Sequence, residues 1–191
     1  PDPINHGTKS AGIIGAGRNN NKGIAGIAGG DYDDEGTTGV ELWAMKTNHS
    51  GWQGVSELVE AMVDGATDVD GSGNKLDLTN NSWAITPNTA SYNALNIEEL
   101  KKAMRFVFDN EVVFVGSRGN NNKDEPSYPA TYYPDWSAGD DWMISVGASD
   151  ENGERAEVRF PQNPNIIIWG SNYGKQLDVI APGTSNIVYT T

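Results

Sequence analysis

Five short stretches of the chain are almost continuously apolar: residues 40–47 (VELWAMKT), 76–84 (LDLTNNSWA), 112–117 (VVFVGS), 143–149 (MISVGAS) and 177–181 (LDVIA). A strand that alternates polar and apolar residues covers one side of a sheet. A near-continuous apolar run needs cover on both sides, which is the situation of a central strand in a parallel sheet. Helical patterns fall between these runs. In residues 55–64 the apolar positions 55, 58, 59, 62 and 63 mark one face, and in residues 97–108 positions 97, 100, 104, 107 and 108 do the same. Asn96, with Glu99 three residues on, has the form of a helix-capping box. Residues 6–16, rich in Gly and Ala, read as a closely packed helix. Strands alternating with helices predict an α/β fold built from crossover units. The last third predicts more strand and loop than helix.

The 191 residues suffice for one sizeable core. Lys and Arg number 13 against 26 Asp and Glu, a formal net charge of −13. That balance repels phosphates, so neither nucleic acid nor an anionic membrane surface is an expected partner. No apolar run approaches the roughly 20 residues needed to cross a bilayer. With no Cys, disulfide scaffolds, thiolate metal sites and Cys nucleophiles are all excluded. The two His, His6 and His49, are too few for a multi-His metal site. The opening residues lack the basic start, apolar middle and cleavage site of a signal peptide. The chain therefore reads as a mature protein or a piece of a longer one.

Three segments combine residues suited to chemistry. His6-Gly7-Thr8-Lys9-Ser10-Ala11-Gly12 places an imidazole at the start of a helix whose small residues allow close packing. Asn80-Asn81-Ser82-Trp83-Ala84 puts polar groups at the end of a strand, where parallel sheets carry their sites. Gly116-Ser117-Arg118-Gly119-Asn120 brings a side-chain amide to the end of a buried strand, where it can donate to a developing oxyanion. Taken singly, a lone His is more often structural, and each of the other two segments reads equally as a turn.

In this order the segments resemble the subtilisin-like serine proteases, the subtilases. His6-Gly7-Thr8 with Ala11-Gly12 is similar to the family's H-G-T-x-x-A-G motif. Residues 23–28 (GIAGIA) resemble the small apolar run that follows it. Ser82-Trp83-Ala84 is similar to the substrate-binding S-[LW]-G segment, with Ala for Gly, and Gly119-Asn120 to the oxyanion-hole motif. Tyr128-Pro129-Ala130, residues 144–148 (ISVGA) and residues 177–183 (LDVIAPG) resemble further landmarks. The matches are collinear across nearly the whole chain.

The resemblance implies a parallel-sheet, three-layer α/β fold and a Ser-His-Asp endopeptidase that hydrolyses peptide bonds. His6 would be the catalytic base and Asn120 an oxyanion donor. Ser82, Trp83, Ala84, Gly116, Ser117 and Gly119 would line the substrate, a protein or peptide. The family's D-[ST]-G and G-T-S-M-A motifs have no match. Asp2 is followed by Pro3 and Ile4, and Ser185 sits in Gly183-Thr184-Ser185 with Asn186-Ile187 after it. Residues 1–191 are thus expected to be a partial catalytic domain, incomplete at both ends and inactive alone. Another chain or fragment would pair with the sheet to complete it. Arg118 stands where the family usually has a small residue, and its side chain is open to either a specificity role or an outward path.

The family implies secretion or a cell-surface location, no catalytic cofactor, and structural calcium. Asp68, Asp70, Ser72 and Asn74 are similar to the front of a calcium loop, although Lys75 and Thr79 depart from it. A different class stays open beside the enzyme: a non-catalytic α/β binding module on the same fold. A nucleotide-binding domain lacks its glycine fingerprint here.

Overall fold

The computed structural model describes residues 5–34, 36–47, 54–87, 92–131 and 142–184. Asp2 and Ser185 lie outside them. The chain gathers into two compact units, one running up to Ala44 and the other beginning at Met45.

The first unit is built on helix α1 (His6–Gly15). Asn5 precedes it at φ 53° without a side-chain capping bond. The small-residue run 23–28 folds back over the helix end. Gly26, Ile27 and Ala28 donate backbone hydrogen bonds to the carbonyls of Ala16, Ile13 and Ile14 at 2.8, 2.9 and 2.7 Å. Glycine is required at this crossing: a Cβ on Gly26 would stand 2.3 Å from the Ala16 nitrogen, and one on Gly29 1.9 Å from its oxygen. Residues 40–47, expected as a strand, belong to no β-ladder among the described residues. Val40 donates to Ala28 at 3.0 Å. Apolar β-branched residues favour an extended path, but a strand exists only through a neighbour's hydrogen bonds.

The second unit holds a four-stranded, all-parallel sheet in the order β1 (Leu78–Asn81), β2 (Val113–Ser117), β3 (Ile144–Ser149) and β6 (Val179–Pro182). Each strand falls within an apolar run singled out from the sequence, give or take a residue. Helices α2 (Val55–Thr67) and α3 (Ala94–Asp109) pack on each other, and α3 packs on β2. Their buried positions, Val55, Leu58, Met62 and Ala66 on one and Leu100, Ala103, Met104 and Val107 on the other, recur at helical spacing. With Ile85, Val112, Phe114, Ala130 and Met143 they make one core. Full burial of residues such as Leu100, Met104 and Phe114 stabilises the fold by about 1.5–3 kcal/mol each.

The core formed with the helices lies on the sheet face that carries Phe114 and Gly116. The other face, with Leu78, Val113, Ile144 and Val179, is exposed.

Two elements differ from expectation. α3 starts one turn early: Asn93, not Asn96, is its cap, and the Asn93 side chain accepts from the Asn96 amide at 3.0 Å. The added turn carries Leu95, which is 79% exposed, so the apolar periodicity could not register it. An antiparallel hairpin, β4 (Glu157–Phe160) with β5 (Asn163–Gly170), forms with slipped register at Val158/Arg159 and Arg159/Phe160. Most of its residues are exposed on both sides, so no alternation marks it in the sequence.

Candidate active site

Strands β1 and β2 are parallel neighbours, with Asn81 opposite Gly116. Their carboxyl ends therefore lie side by side, and Ser82–Trp83–Ala84 leaves one while Ser117–Arg118–Gly119–Asn120 leaves the other. This is the edge at which parallel α/β sheets place their ligands.

The first segment is anchored through Asn81, which is buried. Its amide donates to the Val115 carbonyl at 3.3 Å and to Thr79 Oγ1 at 3.0 Å, and its oxygen accepts from Trp83 Nε1 at 3.3 Å. Ser82 Oγ accepts from Asn80 at 3.0 Å. Trp83 packs against the core. Ile85 and Tyr128 exchange backbone hydrogen bonds at 2.8 and 2.9 Å, which fixes the outgoing chain.

On the second segment Gly116 is closely enclosed: a Cβ there would meet the Met143 methyl at 2.6 Å. Gly119 has φ +104°, a backbone that residues with a side chain rarely adopt. Arg118 is buried, 1% exposed, so its side chain turns inward and does not face solvent. Burial pushes its guanidinium below the usual arginine value, and Asp124 opposes that shift.

Asn120 is exposed, and its side chain makes no hydrogen bond among the described residues. The chain on both sides of it is held. Asn172, 1% exposed, accepts from the Asn121 and Lys123 amides at 2.8 and 3.2 Å and donates to the Arg118 carbonyl at 3.1 Å. Its own amide donates to the Gly119 carbonyl at 2.9 Å. Arg155 Nη1 donates to Asn122 Oδ1 at 2.5 Å and to the Ser171 carbonyl at 2.9 Å. Sequence reasoning named neither Asn172 nor Arg155. The faint signal for Asn172 was the polar tetrad Ser171-Asn172-Tyr173-Gly174 between two apolar runs.

His6 is the first residue of α1, exposed, in the other unit. The acidic loop after α2 is closed by its own hydrogen bonds. Asp70 accepts from the Ser72 amide and hydroxyl at 2.9 and 2.7 Å and from Asn74 at 2.8 Å, while Asp68 accepts from the Gly73 amide at 2.8 Å. The Asn74 and Ser72 hydrogen bonds hold the Asp70 carboxyl down to about 2. Two carboxylates, a hydroxyl and an amide oxygen fall short of the six to eight oxygens calcium takes, and water would have to supply the rest. No cluster of three or more His, Cys, Asp or Glu suited to a metal occurs among the described residues.

Fold and site together define an α/β protein with a parallel sheet and polar segments at adjoining strand ends. Residues 2–191 match the Subtilase family, and the chain belongs to it. It is 30% identical over 185 residues to the thermophilic serine proteinase of Bacillus sp. (strain AK1), covering 95% of this chain and 36% of that protein. To subtilisin Savinase of Lederbergia lenta it is 28% identical, covering 96% of this chain and 52% of the other. Among solved structures it is similar to MycP1 from the ESX-1 type VII secretion system, with a TM-score of 0.60 at 18% identity over 93% of this chain and 48% of that one. That likeness concerns the fold. The chain spans about half the length, or less, of these curated relatives.

Proposed function

We propose that this chain carries the general base and an oxyanion donor of a subtilisin-like serine endopeptidase. The reading rests on the family and on one observation: Asn120, whose exposed side-chain amide makes no hydrogen bond among the described residues, stands in a loop that Asn172 holds on either side of it. Preorganised donors of this kind need no reorganisation when charge develops on the substrate oxygen.

A serine hydroxyl attacks the scissile carbonyl and His6 takes its proton, later returning it to the leaving amine. Asn120 Nδ2 donates to the tetrahedral oxyanion. An extended peptide lies along Ser82–Trp83–Ala84 and Gly116, Ser117 and Gly119, bonding backbone to backbone. The serine and the carboxylate that orients His6 come from chain beyond residues 1–191, which form part of one catalytic domain. The pairing of that further chain with the sheet completes the fold. The protein works outside the cell or at its surface, and no described helix is long and apolar enough to cross a membrane. Asp68, Asp70, Ser72 and Asn74, with water completing the shell, would hold a calcium ion in a structural role.

The test is Asn120→Ala in the complete protein. The expected result is a fall in kcat of about 10²–10³ with little change in KM, a magnitude known from a subtilisin rather than derived from this chain. An equally active variant removes Asn120 from the site.

A further inference from the structure

The loop after β2 is tied at each residue from Arg118 to Glu125 except Asn120. The Arg118 amide donates to Val146 at 2.8 Å, the Gly119 carbonyl accepts from Asn172, and the Asn122 amide donates to Gly170 at 2.9 Å. Asn121 and Lys123 are held by Asn172. The far end of the loop is held by the guanidinium of Arg118. Its Nη1 donates to the Glu125 carbonyl at 3.0 Å, and its Nη2 to the Tyr173 carbonyl at 2.8 Å and to Asp124 Oδ1 at 3.2 Å.

Burying a guanidinium carries a desolvation penalty, and here the one carboxylate partner is itself 54% exposed. A small residue at position 118 would avoid that penalty but would leave the Glu125 and Tyr173 carbonyls without these donors. A lysine would keep the charge but not the planar fork that reaches the far end of the loop and the Tyr173 carbonyl together.

We infer that Arg118 is a positioning residue for Asn120: with Asn172 it holds the backbone of the loop on both sides of Asn120, so that the Asn120 amide stays aimed at the oxyanion. This rests on the reading of Asn120 above. The buried fork also removes Arg118 from substrate selection.

The test is a double-mutant cycle of Arg118→Lys with Asn120→Ala in the complete protein, with amide hydrogen exchange as a second readout. Arg118→Lys is expected to lower kcat roughly 10- to 100-fold, the range that a misplacement of about 1 Å produces, with KM nearly unchanged. Exchange at Asn121, Lys123 and Tyr173 should quicken. In the Asn120→Ala background the same substitution should lower kcat little further, because both act through one amide. Undiminished loss in that background, or faster exchange with kcat unchanged, would overturn the positioning role while leaving Asn120 as oxyanion donor. If Asn120→Ala alone leaves kcat intact, the oxyanion reading itself fails, and the positioning role with it. Should Arg118→Lys not fold, Asp124→Asn keeps both carbonyl bonds and is expected to give a smaller, equally non-additive fall in kcat; an additive fall or none counts against the proposal.

Discussion

At Gly119 the backbone has φ +104°, and a Cβ would stand 2.7 Å from Asn172 Nδ2 and 3.1 Å from Ser127 Oγ. Gly119→Ala therefore combines backbone strain with a clash against the clamp that holds Asn120. A loss of about 1–3 kcal/mol in urea unfolding is expected, together with a drop in kcat. A variant as stable as the parent would show that the loop has another backbone available. Asp70 permits a second prediction at this scale. Its folded value, about 2, lies below the ordinary aspartate range, so its contribution to stability is present above about pH 4 and is lost as pH falls through about 2. A carbon-13 carboxyl titration should find that low midpoint, and Asn74→Ala should raise it. A midpoint near 4 in the unaltered chain would mean that the loop's hydrogen bonds do not form in solution. Added calcium should shift the Asp68 and Asp70 signals together if they share an ion.

Helix α3 separates what local chemistry supports from what packing supports. Asn93 satisfies a free amide of the first turn, so Asn93→Ala is expected to cost about 1 kcal/mol. Leu100 is fully buried in the core, and Leu100→Ala should cost about 2–5 kcal/mol. Thermal or urea unfolding of both variants checks the order; a larger loss at the cap than in the core would contradict the packing described. The same division explains which elements were legible. Buried periodic positions announced α2, the main body of α3 and the four parallel strands. The first turn of α3 and the β4–β5 hairpin were not announced, because their residues are largely exposed and no core imposes a period on them. Residues 40–47 show the converse. Their composition favours extended chain, but ladder partners are a matter of which segments meet in space.

For the molecule as a whole, the sheet of the second unit has one face against the core and one exposed face bearing Leu78, Val113, Ile144 and Val179. Parallel sheets in α/β proteins are ordinarily covered on both faces. The exposed face supports the proposal that residues 1–191 act with further chain. The expected outcome is that these 191 residues, purified and checked by mass, are not labelled by a serine-directed fluorophosphonate, whereas the complete protein is. An imidazole is a useful base only with a hydroxyl in reach and a partner that fixes its tautomer. Stoichiometric labelling of the 191-residue chain, abolished by His6→Ala, would instead identify a nucleophile within it, Ser185 being the first to examine.

The sequence by itself determined the α/β class, the places of the four parallel strands along the chain and the family. Those properties rest on burial periodicity and on short motifs, which are local along the chain. Only the tertiary structure decided what becomes of Arg118. Read in sequence, Gly116-Ser117-Arg118-Gly119-Asn120 allows the arginine to point outward or toward the substrate edge. The fold sends it inward because Tyr173, 55 positions away, presents its carbonyl there, and Asn172, 54 positions away, closes the loop from the same side. Partners so distant leave no periodic trace, since a hydrogen bond fixes where two groups meet and not how far apart they lie along the chain.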